Sequence, residues 1–196
     1  MNEIIRDGYT RVSEFCSRYE DFGSVDPDYL KARALVGTNV HTAIRAHLHC
    51  MPYELTDEES VYFGSWIKWY ELMRHPDISH EETRMYCDKW MLTGAIDGII
   101  HLQGCQPMIL DWKTSSAEDK DIWPLKGAFY LYLARENKIC DLLDDRVYYL
   151  KLDKKGGDAK VCEYEITTHL KSLVTATMMS HRFEEKVKKN KKKWRF

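Results

Sequence analysis

The chain has 196 residues, of which 44% are hydrophobic and 31% are charged, with a formal net charge of −2 at pH 7. These proportions are ordinary for a single globular domain with a sizeable core. No apolar run approaches the roughly 20 residues of a membrane span, and the N-terminus lacks a signal-peptide pattern. We therefore expect a cytoplasmic protein that makes no membrane contact.

The N-terminal third of the chain has helical patterns. Apolar residues recur at helical spacing from Arg11 to Phe22. Asp26-Pro27 predicts an N-cap and a first-turn proline for a second helix that runs toward Cys50, in which Gly37 marks close packing or a break. Thr56 and Glu59 have the spacing of a capping box and open a third helix.

The rest of the chain alternates between strands and helices. Strands are predicted at about Glu82–Cys87, Trp90–Leu102, Met108–Lys113, Arg146–Leu152 and Val161–Ile166. Pro124 predicts the first turn of a helix after the third strand, and Thr167 or Thr168 predicts the cap of a final helix. The sequence therefore predicts one α/β domain over residues 1–185.

A basic tail follows this domain. Residues 186–196 hold six lysines, one arginine and no acid, so they carry +7. The rest of the chain has 22 basic and 31 acidic residues, a balance of −9. This asymmetry favours nucleic-acid contact by the tail, and a solvated terminus is the alternative.

Two acidic residues stand at matched distances from a turn. Asp97 and Asp111 lie seven residues on either side of Gly104. If the hairpin closes symmetrically about that glycine, the two carboxylates face each other across it and repel. A divalent cation between them would turn the repulsion into binding. Lys113 points to the same face as Asp111, because side chains alternate along a strand. Acids and an ammonium in this arrangement suit phosphoryl chemistry.

These residues resemble the PD-(D/E)XK nuclease superfamily in its RecB-like branch. Gly94-Ala-Ile-Asp97 followed by Ile109-Leu-Asp111-Trp-Lys113 is similar to the family's metal-binding hairpin, and Gly37-Thr-Asn-Val-His41 matches its upstream G-x-x-x-H helix. The resemblance implies a restriction-endonuclease-like αβββαβ core, with a mixed sheet flanked by helices and with additional N-terminal helices.

The resemblance also implies roles for the matching positions. His41, Asp97 and Asp111 would be metal ligands, together with the backbone carbonyl of Trp112. Lys113 would position or activate the attacking water and stabilise the developing negative charge. The expected cofactor is Mg²⁺ or Mn²⁺, because the ligands are rich in oxygen, and the imidazole favours Mn²⁺ slightly.

Two further parts of the family's pattern are matched less closely by this sequence. A glutamate on the preceding strand usually assists in this family, and a turn at Asp88-Lys89 would pair Glu82 near Ala95 and favour it over Glu81. In the following helix Tyr130 matches the family's Gln-x-x-x-Tyr motif, whereas Lys126 replaces the glutamine. Both side chains are expected to contact substrate, Lys126 as a point charge on a phosphate.

The resemblance implies a divalent-metal-dependent DNA nuclease, most simply an exonuclease acting in recombination, repair or phage replication. The partner would be double- or single-stranded DNA, and a homo-oligomer or a recombination partner protein stays open. The alternative is a catalytically inert nucleic-acid-binding module on the same fold. A third hypothesis is a metal-dependent phosphatase or nucleotide hydrolase.

Overall fold

The computed structural model of the protein describes residues 6–20, 23, 25–115 and 117–193. The predicted end of the first helix at Phe22 and the last three residues of the basic tail lie outside them. The helices are α1 Val12–Cys16, α2 Pro27–Leu48, α3 Asp57–Leu72, α4 Ile122–Glu136 and α5 Thr168–Lys193. The strands are β1 Thr10–Arg11, β2 Asp77–Ser79, β3 Thr83–Cys87, β4 Leu92–Ile96, β5 Gly98–His101, β6 Met108–Lys113, β7 Arg146–Lys151 and β8 Lys160–Glu165.

The strands form two mixed sheets with helices packed against them. The larger sheet has the order β2-β5-β6-β7-β8, in which β6 and β7 are parallel and the other pairs are antiparallel. The smaller sheet has the order β1-β4-β3. Residues of α2 and α3 pack in one apolar cluster with one face of the larger sheet, and residues of α1, α4 and α5 pack in another. The predicted α/β fold class is confirmed.

The helix starts follow from the local sequence. The Asp26 side chain accepts a hydrogen bond from the Asp28 N–H at the start of α2. Thr56 and Glu59 form the predicted capping box, which satisfies two backbone donors that the first turn of α3 leaves free. At α5, the Thr167 hydroxyl accepts from the Leu170 N–H at 3.3 Å. In each case, a polar residue at a fixed distance before an apolar pattern predicts where the helix begins.

The expected single strand from Trp90 to Leu102 is wrong. It breaks at Asp97 into β4 and β5, which belong to different sheets. β4 pairs with β3, whereas β5 pairs with β6 and with β2, a short strand that the sequence did not predict. Apolar residues continue through the break, so the pattern of hydrophobicity alone gave no sign of it.

Gly37 marks close packing and not a break, because α2 continues through it. A Cβ at this position would lie 3.1 Å from Oγ1 of Thr114, directly after β6. The glycine therefore lets α2 approach the carboxyl end of β6, where Lys113 lies. In the described part of the chain, no helix combines the length and the apolarity that a membrane crossing requires.

Candidate active site

The β5–β6 register places the two aspartates opposite each other. Gly98 pairs with Leu110 and Ile99 pairs with Ile109. Asp97 comes directly before this ladder and Asp111 directly after its last pair, so the same register would place them opposite each other, as the symmetric turn about Gly104 predicts. Asp111 is 3% exposed. A nearly buried carboxylate facing a second one is costly unless a positive group compensates for both charges.

Asp97 is held by an imidazole and a backbone amide. His41 of α2 approaches it, with 3.3 Å between Nδ1 of the ring and Oδ1 of the carboxylate. The other carboxylate oxygen, Oδ2, accepts a hydrogen bond of 2.8 Å from the Trp112 N–H. The His41 ring also meets the Trp112 indole edge-on, at 6.2 Å between centroids. The helix carrying the G-x-x-x-H motif thus reaches the aspartate pair.

Asp111 is held by Lys113, its neighbour on the same face of β6. Nζ of Lys113 forms an ion pair with Oδ1 of Asp111. The ammonium also lies 5.4 Å from the centroid of the Tyr149 ring on β7, within range of a cation–π interaction. Tyr149 is itself fixed, because its hydroxyl donates a hydrogen bond of 2.7 Å to the Trp123 carbonyl. Lys113 is therefore oriented by a carboxylate and an aromatic ring.

The pKa values of the two aspartates move in opposite directions. Burial pushes the pKa of Asp97 upward, but His41, Lys113 and the Trp112 N–H outweigh it and bring that pKa below its ordinary value. Burial raises the pKa of Asp111, which Lys113 opposes and the Asp97 charge reinforces, and that pKa lies above its ordinary value. Burial would lower the pKa of His41, but Asp97 outweighs it and raises that pKa.

The carboxylate oxygens of the site are the type of donor that a hard divalent cation binds. Their positions fit such a cation only partly. Oδ1 of Asp111 is buried and accepts no regular hydrogen bond from the described residues, although it contacts the Lys113 ammonium. Within those same residues, no three histidine, cysteine, aspartate or glutamate side chains are grouped closely enough to hold a metal ion. A cation bound here would have to exchange with the His41–Asp97 and Lys113–Asp111 contacts. The Trp112 peptide meets Asp97 through its N–H, whereas the sequence suggested its carbonyl as a ligand.

The pairing predicted for Glu82 is wrong. The β3–β4 turn occupies the four positions from Asp88 to Met91, so Arg84 is the residue that pairs with Ala95. The Glu82 N–H points to the Asp97 carbonyl at 3.4 Å, but the residue has a positive φ of 50° and its side chain is exposed. Glu81 instead contacts His49, with 2.8 Å between Oε2 and Nε2. An assisting role for Glu82 stays a prediction.

The two α4 residues both lie on the Asp111 side of the site. Lys126 is half-buried, and its charge acts to lower the pKa of Asp111. Tyr130 is only 7% exposed, and burial followed by the Asp111 charge raises its pKa. A Cβ on Gly94 would lie 3.0 Å from its ring. Tyr130 is therefore nearly buried against β4 and is not an exposed stacking platform.

Sequence reasoning missed Tyr149, Thr114 and Cys16. Tyr149 is the register partner of Asp111 on the parallel strand β7. Thr114 limits the approach of α2 through Gly37. Cys16 of α1 is buried, which raises the pKa of its thiol to about 11, while the charges of Lys126 and Lys113 act to lower it. Nothing in the sequence states which strand lies beside β6, so only the tertiary structure identifies these neighbours.

Comparison with known proteins supports the fold. No protein-family model matches the chain, and no curated protein is significantly similar to it. Among solved structures, a protein from Eubacterium rectale described as a "putative exonuclease" gives a TM-score of 0.55 at 15% identity, over 93% of this chain and 82% of that one. A second structure, described as SSO0001, gives a TM-score of 0.40 at 13% identity, over 91% of this chain and 78% of that one. The first shows a shared fold, and the second supports no further argument.

Proposed function

We propose that this chain is a divalent-metal-dependent deoxyribonuclease that acts as an exonuclease. The observation that carries the proposal is that Asp97 and Asp111 both lie at the end of the β5–β6 ladder, Asp97 held by the Trp112 N–H and Asp111 by Lys113. The fold shared with a structure described as a "putative exonuclease" adds to it. Two acids that can hold a divalent cation, together with one amine beside them, are suited to stabilising an anionic transition state.

The residues that would hold Mg²⁺ or Mn²⁺ are His41, Asp97 and Asp111, with the Trp112 carbonyl. When bound, the ion would lower the pKa of a coordinated water and neutralise a phosphodiester oxygen. Lys113 would donate to the scissile phosphate or to the attacking water, from a position set by Asp111 and Tyr149. The Trp112 N–H would keep the Asp97 carboxylate oriented while its other oxygen changes partner.

Hydrolysis of end-labelled linear DNA with Mg²⁺, with Mn²⁺ and with a chelator tests the proposal. Asp111→Asn and Lys113→Ala should each lose about 10²-fold or more in rate, since each removes a charge that acts in the transition state. Asp158→Asn is the matched control, because Asp158 is an exposed carboxylate in the β7–β8 connection. A covalently closed circle should resist degradation. Undiminished activity in both site variants would overturn the proposal.

An inert nucleic-acid-binding module on the same fold is the second candidate. It is favoured by one observation: both oxygens of Asp97 are already engaged, by His41 and by the Trp112 N–H. Calorimetric titration with Mn²⁺ separates the two candidates. Saturable heat that disappears in Asp111→Asn supports the nuclease, whereas no heat in the parent chain supports the inert module.

A further inference from the structure

Helix α2 carries an unusual charge pattern for this chain. No acidic residue occurs between Asp28 and Glu54, in a chain that has 31 acidic residues among 196. The same interval contains Lys31, Arg33 and Arg45 together with three histidines. The body of the protein is acidic overall, whereas α2 has three cations and one acid, Asp28. Arg33 forms an ion pair with Glu58 of α3, so it adds little free positive charge.

Beyond its first turn, the exposed residues of α2 lie on one face, apart from Ala32. They recur at intervals of three or four residues, which is the spacing of a single helix face. The exposed residues that form this face are Lys31, Ala34, Leu35, Thr38, Thr42, Arg45 and His49, the last at the C-cap. We call this set the α2 face. It combines cations, hydroxyls and small side chains.

Arg45 is the cation on this face that is free to bind a ligand. Lys31 pairs with Asp28 at 3.1 Å, and His49 contacts Glu81. For the Arg45 side chain, the described residues provide neither an ion pair nor a hydrogen bond. An exposed, unpaired guanidinium can donate two parallel hydrogen bonds to the oxygens of a phosphate.

The α2 face continues directly from the candidate active site. His41, on the same helix, contacts Asp97, and Gly37 packs against Thr114 next to Lys113. Arg45 lies one helical turn beyond His41, a rise of about 6 Å along the axis. A strand whose scissile phosphate lies at the aspartate pair can therefore reach this face with the neighbouring phosphates.

We propose that the α2 face binds the phosphate backbone of DNA next to the candidate active site, with Arg45 as its main phosphate contact. The inference rests on the proposed function for its choice of DNA. Charge complementarity favours a polyanion, and the small and hydroxyl-bearing side chains allow a regular backbone to lie close along the helix.

Fluorescence anisotropy of a labelled DNA duplex, in the presence of EDTA to prevent hydrolysis, tests this surface. Arg45→Gln should weaken binding by roughly three- to tenfold and reduce the slope of log affinity against log salt by about 1. Thr42→Glu, which adds a carboxylate to the same face, should weaken binding further. Lys155→Gln is the matched control, because it removes one exposed positive charge in the β7–β8 connection.

Three outcomes separate this inference from the proposed function. An unchanged salt slope in Arg45→Gln overturns the α2 face even if the chain degrades DNA. Arg45-dependent binding without any metal-dependent hydrolysis supports the face and overturns the nuclease. Equal Arg45-dependent binding of an acidic peptide overturns DNA as the specific partner.

Discussion

The two aspartates of the candidate site differ in what surrounds them. Asp97 has an imidazole and a backbone N–H as partners, which keep it ionised and bring its pKa below the ordinary value. Asp111 is more deeply buried and has Lys113 alone as its ion-pair partner among the described residues. Two carboxylates with the same chemistry thus have separate electrostatic roles, set by their neighbours.

Glycine positions allow a prediction about packing. A Cβ at Gly94 in β4 would lie 3.0 Å from both Tyr130 and Val12, whereas a Cβ at Gly64 in α3 meets nothing within 4 Å. Gly94→Ala should therefore lower the free energy of unfolding by about 1–3 kcal/mol through overpacking. Gly64→Ala should raise it by about 0.5–1 kcal/mol, since alanine is the better helix former. Urea unfolding of both variants measures the difference, and equal effects would contradict this packing of Gly94 against Tyr130 and Val12.

At the scale of elements, one carboxylate connects the segment between β6 and α4 to the five-stranded sheet by hydrogen bonds. Glu118 accepts hydrogen bonds from Lys160 and Tyr164 on β8. These bonds, that from Lys160 first, lower the pKa of Glu118 to about 2. The carboxylate therefore links the segment that leads into α4 to the far edge of the five-stranded sheet.

This link predicts a pH dependence of stability. Because the folded-state pKa of Glu118 lies below its unfolded value, the bonded carboxylate stabilises the fold above the unfolded pKa. That stability is lost as the pH falls toward about 2. Glu118→Gln should therefore be less stable than the parent chain at pH 7, and the difference should shrink in acid. Urea midpoints at several pH values measure it, with Glu165→Gln, an exposed carboxylate of β8, as the control. A difference that is independent of pH would contradict the link.

The described part of the basic tail is helical. α5 continues to Lys193, so residues 186–193 extend a helix and do not form a separate coil. Earlier in α5, Arg182 donates to the Lys89 carbonyl in the β3–β4 turn. That turn is at the end of β4 opposite Asp97, which places this part of α5 away from the candidate site. Contact of the tail with DNA stays a prediction.

At the scale of the whole molecule, metal binding should be visible as stability. A ligand that binds only the folded state stabilises it by about 2.7 kcal/mol at a hundred times its Kd, which for a chain of this size is a Tm rise of about 5–10 °C. Adding Mn²⁺ should produce this rise in the parent chain and in Asp158→Asn. Asp111→Asn should lose it, because the substitution removes a ligand charge, and EDTA should reverse it. Thermal unfolding followed by circular dichroism measures the shift; an equal rise in Asp111→Asn would argue against this metal site.

Local sequence determined the helix starts and the facing of the acids. The Thr56 capping box and the Asp26 cap depend on residues three or fewer positions apart, and the opposition of Asp97 and Asp111 depends on one symmetric turn about Gly104. Such features are set by short-range backbone geometry, in which side chains alternate with a period of two along a strand.

Only the tertiary structure decided which residues surround those acids. The break at Asp97 divides one apolar run between two sheets, and the four-residue β3–β4 turn moves the Glu82 register by two positions from the expected one. The contact of Tyr149 with Lys113 requires β7 to lie parallel beside β6, across an intervening helix. Pairings between distant segments depend on how whole layers pack together, and no local pattern of residues encodes that choice.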